Sequence, residues 1–163
     1  MDVTEIFEAN LDLTLHSQAV LDLLNAYAAD PMGNGKPLGQ NVLKELIPGL
    51  QQHPTTIIFL AFYEKKAVGI LTCFKGFSTF HARPLLHVSD FFLQPDFRGL
   101  EISKKLLMTL EKKALELNCC KITLNVQKNN HHAIHIYKNA GFNPEIYVKQ
   151  AGGSVLFTKP VSR

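Results

Sequence analysis

The residues best suited to chemistry in this chain lie in its second half. Arg98 and Gly99 follow the apolar run Phe91-Phe92-Leu93 and precede a helical pattern that begins at Ile102. An arginine and a glycine between a strand and a helix start suit a turn whose backbone N–H groups and helix N-terminus receive a pyrophosphate. Glu101 and Ser103 stand where such turns usually carry glycine or another small residue. Glu101 has two arrangements open to it. Turned outward, its carboxylate supports the first helical turn; set about 4 Å from a phosphate charge, it would cost about 1 to 4 kcal/mol.

Three more residues suit proton transfer. A tyrosine with a reference pKa near ~10 is protonated at neutral pH, so Tyr137 can donate a proton. His87 and Asp90 lie on the segment leading into the pyrophosphate turn and are the available proton acceptors. Plain strand alternation puts them on opposite faces, which makes them competitors for one role. His131 and His135 are spaced i, i+4 as in some zinc sites, but no glutamate of a His-Glu-x-x-His pattern lies between them, so the cluster reads as a solvated helix face and no metal is expected. Gly33-Asn34-Gly35 follows no strand and leads to no Lys-Ser or Lys-Thr pair, so it reads as a mobile loop rather than a phosphate loop.

Periodicity supplies the elements that must position these residues. Residues 4–8 read as a short strand, residues 16–28 as an amphipathic helix, and residues 30–39 as an irregular loop rich in glycine and proline. Val42, Leu43, Leu46, Ile47 and Leu50 resume helical spacing. Residues 56–62 and 67–74 form a predicted hairpin turning at Glu64-Lys65-Lys66, and residues 85–93 give the next strand. Ile102, Leu106, Leu110, Ala114 and Leu117 mark a helix ended by Asn118. Residues 121–126 alternate as a strand, Asn130 caps a helix stopped by Gly141, and Val155-Leu156-Phe157 offers a last strand. The fold class is α+β, a central mixed sheet with helices packed on it.

The chain has 163 residues, 46% of them hydrophobic, enough for one globular domain with a sizeable core. A net charge of +3 with no basic run argues against nucleic acid. No apolar run spans a bilayer, and Met1-Asp2-Val3-Thr4-Glu5 lacks a basic secretory start, so no membrane association and a cytoplasmic location are expected. Cys73, Cys119 and Cys120 show no C-x-x-C spacing and read as reduced, mostly buried thiols.

Gln94-Pro95-Asp96-Phe97-Arg98-Gly99 followed by an amphipathic helix resembles the acetyl-CoA motif of the GNAT superfamily of N-acetyltransferases. The segment from Asn130 through Ala133 and Tyr137 to Gly141-Phe142 is similar to that superfamily's following motif, in the same order and separation. Ser89-Asp90-Phe91-Phe92-Leu93, with Phe77-Ser78-Thr79-Phe80 and Arg83-Pro84, looks closest to the spermidine/spermine and diamine acetyltransferase branch, with Ser89 in place of a glutamate common there.

The resemblance implies a GNAT acyltransferase fold, an α/β sandwich with a mostly antiparallel sheet, over residues 1–163. It implies acetyl-CoA as cosubstrate, a small primary amine as acceptor (a polyamine, diamine or amino-acid derivative), and a homodimer. A strand splaying from its neighbour would free backbone groups around Phe92 and Leu93 for pantetheine amides. Arg98, Gly99, Leu100, Glu101, Ile102 and Ser103 would meet the pyrophosphate, with Lys104 and Lys105 beside them. Asn130 would contact the pantetheine arm and Tyr137 would lie near the sulfur as general acid, with Asp90 or His87 as base. The alternative is a non-catalytic or weakly CoA-binding sensor domain in which Glu101 has disabled the turn.

Overall fold

A computed structural model describes residues 3–99 and 101–161. The elements follow the order β1 (Thr4–Glu8), α1 (Thr14–Ala29), α2 (Gln40–Gln52), β2 (Thr56–Tyr63), β3 (Lys66–Ser78), β4 (Arg83–Leu93), α3 (Ile102–Glu116), β5 (Ile122–Leu124) and α4 (His131–Asn139). One sheet runs β1-β2-β3-β4-β5. Its first four strands pair antiparallel, and β4 pairs with β5 in parallel. This is the GNAT-type α+β architecture that the motifs imply.

Strand alternation divides the core into two layers. On one face Leu71, Cys73, Leu86, Val88 and Leu93 pack against Ile102, Leu106 and Leu110 of α3, with Tyr137 of α4 at the edge of the cluster. On the other face Ile58, Leu60, Ile70 and Phe92 meet Val20, Leu23 and Leu24 of α1. The outer helix α2 contributes no fully buried residue. At the β2–β3 hairpin, Glu64 and Lys65 both take positive φ, of 49° and 66°, the twist that a tight two-residue turn demands.

One irregularity positions the site. Cys73 pairs with Val88 but Thr72 pairs with Asp90, so Ser89 is an extra residue that bulges from β4. A bulge moves every later residue to the opposite face from plain alternation. His87, opposite Phe74, and Asp90, opposite Thr72, therefore share the α1 face of the sheet. That overturns the expectation of opposite faces.

Other departures are at the ends of elements. β5 is shorter than the predicted residues 121–126 and covers only Ile122–Leu124. Val155, Leu156 and Phe157 form no strand and stand 75%, 73% and 90% exposed. Their apolar, β-favouring types suit a strand, but no strand of this sheet pairs with them. The preceding turn is held at Lys121, whose Nζ lies 2.5 Å from Glu145 Oε1 and 2.7 Å from the Tyr147 hydroxyl. Cys73 is buried and its thiol is pushed up to about 12 by burial, whereas Cys119 and Cys120 are half-buried; all three are free.

The α1–α2 loop is fixed by a close approach. A Cβ on Gly33 would lie 2.0 Å from the Tyr27 carbonyl oxygen, and backbone cannot yield as a flexible side chain can. Gly33→Ala should therefore destabilise the protein by about 1 to 3 kcal/mol. Urea unfolding checks this, and an unchanged midpoint would show that the loop is not held against α1.

Candidate active site

β4 and β5 stay paired only from Leu86 to Val88, facing Ile122 to Leu124, and beyond that point the ladder ends. A crevice of about 770 Å³ opens there, with residues 88–93 on one side and 124–127 on the other, and α1, α4 and the α1–α2 loop around it. Ser103, at the start of α3, lines it too. The ending of the ladder, not a missing side chain, makes the space.

Hydrogen-bond alternation along β4 identifies the backbone groups that face this gap. Gln94 N–H donates to the Val68 carbonyl at 2.8 Å, so Gln94, Phe92 and Asp90 turn their backbone groups toward β3. Phe91 and Leu93 then turn theirs toward the crevice. The outward Leu93 carbonyl accepts a bond from Arg98 Nε at 3.0 Å. The splayed strand thus offers amide-binding groups from Phe91 and Leu93, while the Phe92 backbone is committed to the sheet and its ring to the α1 core.

The turn into α3 has a specific backbone geometry. Gly99 has φ of 87°, and Glu101, the residue capping α3, has φ of 62° and ψ of 11°. Glu101 thus occupies the left-handed region that glycine adopts most readily, which explains physically why a glycine suits that place. Its side chain makes no capping bond, and the residue is exposed and does not line the crevice. That is the outward arrangement. Arg98, Gly99 and Ser103 do line the crevice, whereas Ile102 is fully buried in the core and can offer only its backbone; Lys104 is exposed. Leu100 lies outside the described residues.

Arg98 connects three parts of the site. Its guanidinium donates to Leu93, stacks over the Phe92 ring at 5.5 Å and pairs with Asp30 Oδ2 at 3.3 Å. A guanidinium carries five N–H donors, so this pattern leaves donors for a phosphate oxygen. Across the gap, Gln127 Nε2 donates to the Met32 carbonyl at 3.0 Å. The α1–α2 loop is therefore tied to both walls, and the segment expected to be mobile is a strap over the crevice.

The proton-transfer candidates separate clearly. Tyr137 is buried at the crevice wall between Phe91 and Phe142, each with ring centroids 5.9 Å away. Burial pushes its hydroxyl up to about 12, and the nearby Tyr27 adds to the shift. Asp90 also lines the crevice and accepts a short hydrogen bond from the Thr72 hydroxyl. Burial raises its carboxyl above the ordinary range, against the opposing pull of the Thr72 bond. His87 does not line the crevice, and its Nδ1 sits 2.7 Å from Thr123 Oγ1 on β5. Asn130 lines it, but its side-chain oxygen caps α4 by accepting from Ala133 N–H at 3.1 Å. That leaves the Nδ2 amide to face a ligand.

Tyr27 was missed by sequence reasoning. It lies 5.6 Å from the Phe92 ring on the crevice wall, and burial, then Asp90 and Asp30, raise its hydroxyl. Its helical spacing with Val20, Leu23 and Leu24 gave only a core-facing signal. Of the histidines, His132 lines the crevice and His135 Nε2 shares a hydrogen bond with Asn139, and no group of metal-ligating side chains gathers among the described residues.

A family model described as acetyltransferase (GNAT) family matches residues 20–142. The chain belongs to the GNAT acetyltransferase family. It is an acetyl-CoA-dependent N-acetyltransferase, and the crevice fits that cosubstrate: open strand-edge amides for the pantetheine, and Arg98, Gly99 and Ser103 at a helix N-terminus for the diphosphate. No curated protein sequence matches the chain.

Solved structures share its fold. A possible acetyltransferase from Clostridium difficile 630 has a TM-score of 0.76 at 18% identity, covering 99% of this chain and 100% of that one. An aminoglycoside acetyltransferase from an uncultured soil metagenomic sample, in complex with sisomicin, has a TM-score of 0.76 at 17% identity, covering 98% and 97%. AAC(6')-Iy in complex with the bisubstrate analog CoA-S-monomethyl-acetylneamine has a TM-score of 0.74 at 14% identity, covering 97% and 99%. No helix among the described residues is long and apolar enough to cross a membrane.

Because Glu101 is exposed and left-handed, Glu101→Gly should stabilise the fold by about 1 kcal/mol. It should change the acetyl-CoA dissociation constant less than about threefold, since an exposed charge is screened. Urea unfolding and calorimetry read the two effects, and a tenfold gain in affinity would mean that the carboxylate opposes the diphosphate.

Proposed function

We propose that residues 1–163 act as one catalytic domain that acetylates a primary amine of a small molecule by direct attack, with Tyr137 as general acid and Asp90 as general base. The observation that carries this reading is that the crevice receives Tyr137 from the α4 side and Asp90 from the α1 side of the same opening. Acetyl-CoA supplies the activated thioester.

Phe91, Leu93 and Asn130 are the groups suited to hold the pantetheine arm, and Arg98, Gly99 and Ser103 the diphosphate, with Lys104 adding positive charge near the helix start. Asp90 accepts a proton from the acceptor ammonium and frees its lone pair. The N–C bond forms as the C–S bond breaks, and Tyr137 gives its proton to the departing sulfur. The second proton leaving the new amide nitrogen restores the Tyr137 hydroxyl, and Asp90 releases its proton to solvent. A tyrosine held up to about 12 keeps that proton at every physiological pH. No side-chain nucleophile is required, in keeping with the absence of any cysteine from the crevice lining.

The likeness of residues 77–93 to the spermidine/spermine branch puts polyamines and diamines on the acceptor panel, with amino-acid derivatives beside them. The aminoglycoside-bound neighbour puts aminoglycosides there as well. A cytoplasmic homodimer is part of the same proposal, supported by the exposed apolar tail at Val155, Leu156 and Phe157, which a second copy could cover.

Tyr137→Phe should lower kcat by about 10²-fold or more with the KM for acetyl-CoA within about threefold. Steady-state kinetics decide it, and an unchanged kcat would remove Tyr137 from the acid's role. The pH profile should show no alkaline loss from Tyr137 until pH nears 12. On the acid side Asp90 must be ionised to accept a proton. Its raised carboxyl makes kcat/KM fall at a higher pH than an ordinary aspartate would, and Asp90→Asn should remove that limb. Persistence of the limb in Asp90→Asn would assign the base elsewhere.

A further inference from the structure

The acceptor end of the crevice has an unusual balance of charge. Among the described residues that line the crevice, the only carboxylates are Asp30 and Asp90. Asp30 already has a cationic partner, its Oδ2 pairing with Arg98 at 3.3 Å while Oδ1 accepts from the Met32 N–H at 2.9 Å. Asp90 uses one oxygen for the Thr72 hydroxyl. Asp90 is therefore the one carboxylate among the described crevice residues whose charge has no cationic partner.

The walls beside it are apolar. Leu24 and the rings of Tyr27 and Phe92 stand on the α1 face of the sheet, and Leu38, in the loop before α2, with Val42 and Leu46 of α2 line the same crevice. The one polar tip supplied there by α1 is the Tyr27 hydroxyl. A second ammonium held against Leu24, Phe92, Leu38 and Leu46 would give up water with no unpaired carboxylate to replace it.

We propose that the preferred acceptor is a primary amine carrying one positive charge on an apolar body, with Asp90 meeting the ammonium and Tyr27, Leu38, Val42 and Leu46 packing on the body. This narrows the acetyl transfer proposed above and rests on it. Acceptors with several ammonium groups are disfavoured by the same charge balance, since the lining offers no second carboxylate without a cationic partner.

The test is acetyl-CoA-dependent acetylation, read as thiol release and product mass, with the full chain and a matched panel. Hexylamine and phenylethylamine represent the apolar monoamines, putrescine and spermidine the polyamines, and sisomicin the aminoglycosides. The monoamines should exceed the others in kcat/KM by about tenfold or more, the cost of leaving one charge without a partner. A carboxylate added to the wall should move the preference. Val42 is 46% exposed, so Val42→Glu disturbs no core, and its partly screened charge should raise kcat/KM for putrescine relative to hexylamine by about threefold. Preference of the unaltered chain for putrescine, spermidine or sisomicin overturns this inference and leaves acetyl transfer standing, as does a Val42→Glu ratio that does not move. Acetylation of none of these amines overturns both.

Discussion

The site depends on the divergence of β4 from β5. While the two strands are paired, their facing backbone groups satisfy one another and no ligand can enter. Past Val88 and Leu124 the pairing ends, and the edge of β4 must find other partners. Arg98 takes the Leu93 carbonyl, and the groups of Phe91 remain directed into the gap. The Ser89 bulge sits where the ladder stops, so the same local irregularity bends the strand and resets which side chains face α1. Without it, Asp90 would point into the α3 core layer and Phe92 would leave the α1 layer.

The electrostatics follow from that geometry. The crevice wall is mostly apolar, and such surroundings disfavour charge on any group they bury. Tyr137, Tyr27 and Asp90 are all shifted upward for that reason, which favours the protonated donor and makes the carboxylate a stronger base. Arg98 and the positive end of α3 supply positive charge to the same opening, where a diphosphate would need it. The strap from Asp30 to Met32 crosses the opening, joined to Arg98 on one wall and to Gln127 on the other.

Much of this could be read in the sequence because it rests on local patterns. The helix starting at Ile102, the hairpin at Glu64 and Lys65, the cap at Asn130 and the order of the strands all follow from periodicity and turn chemistry. What could not be read depends on pairing between distant segments. The Ser89 bulge has no signature in residue type, since it exists only relative to β3, and with it went the face of Asp90. Val155-Leu156-Phe157 has the composition of a strand, but pairing needs an edge, and composition does not say whether one is in reach. Glu101 shows the reverse case: the sequence flagged its charge, whereas the structure ties the position to backbone geometry, with φ of 62°.

Hydrogen–deuterium exchange with and without acetyl-CoA tests the divergent strand edge most directly. Cosubstrate binding should protect the amides of Phe91 and Leu93 together with those of Gly99 and Ser103, while Phe92, already bonded to β3, changes little. Protection that skips the β4 edge, or that falls instead on the opening between Glu8 and Thr55 at the far end of α3, would contradict the account.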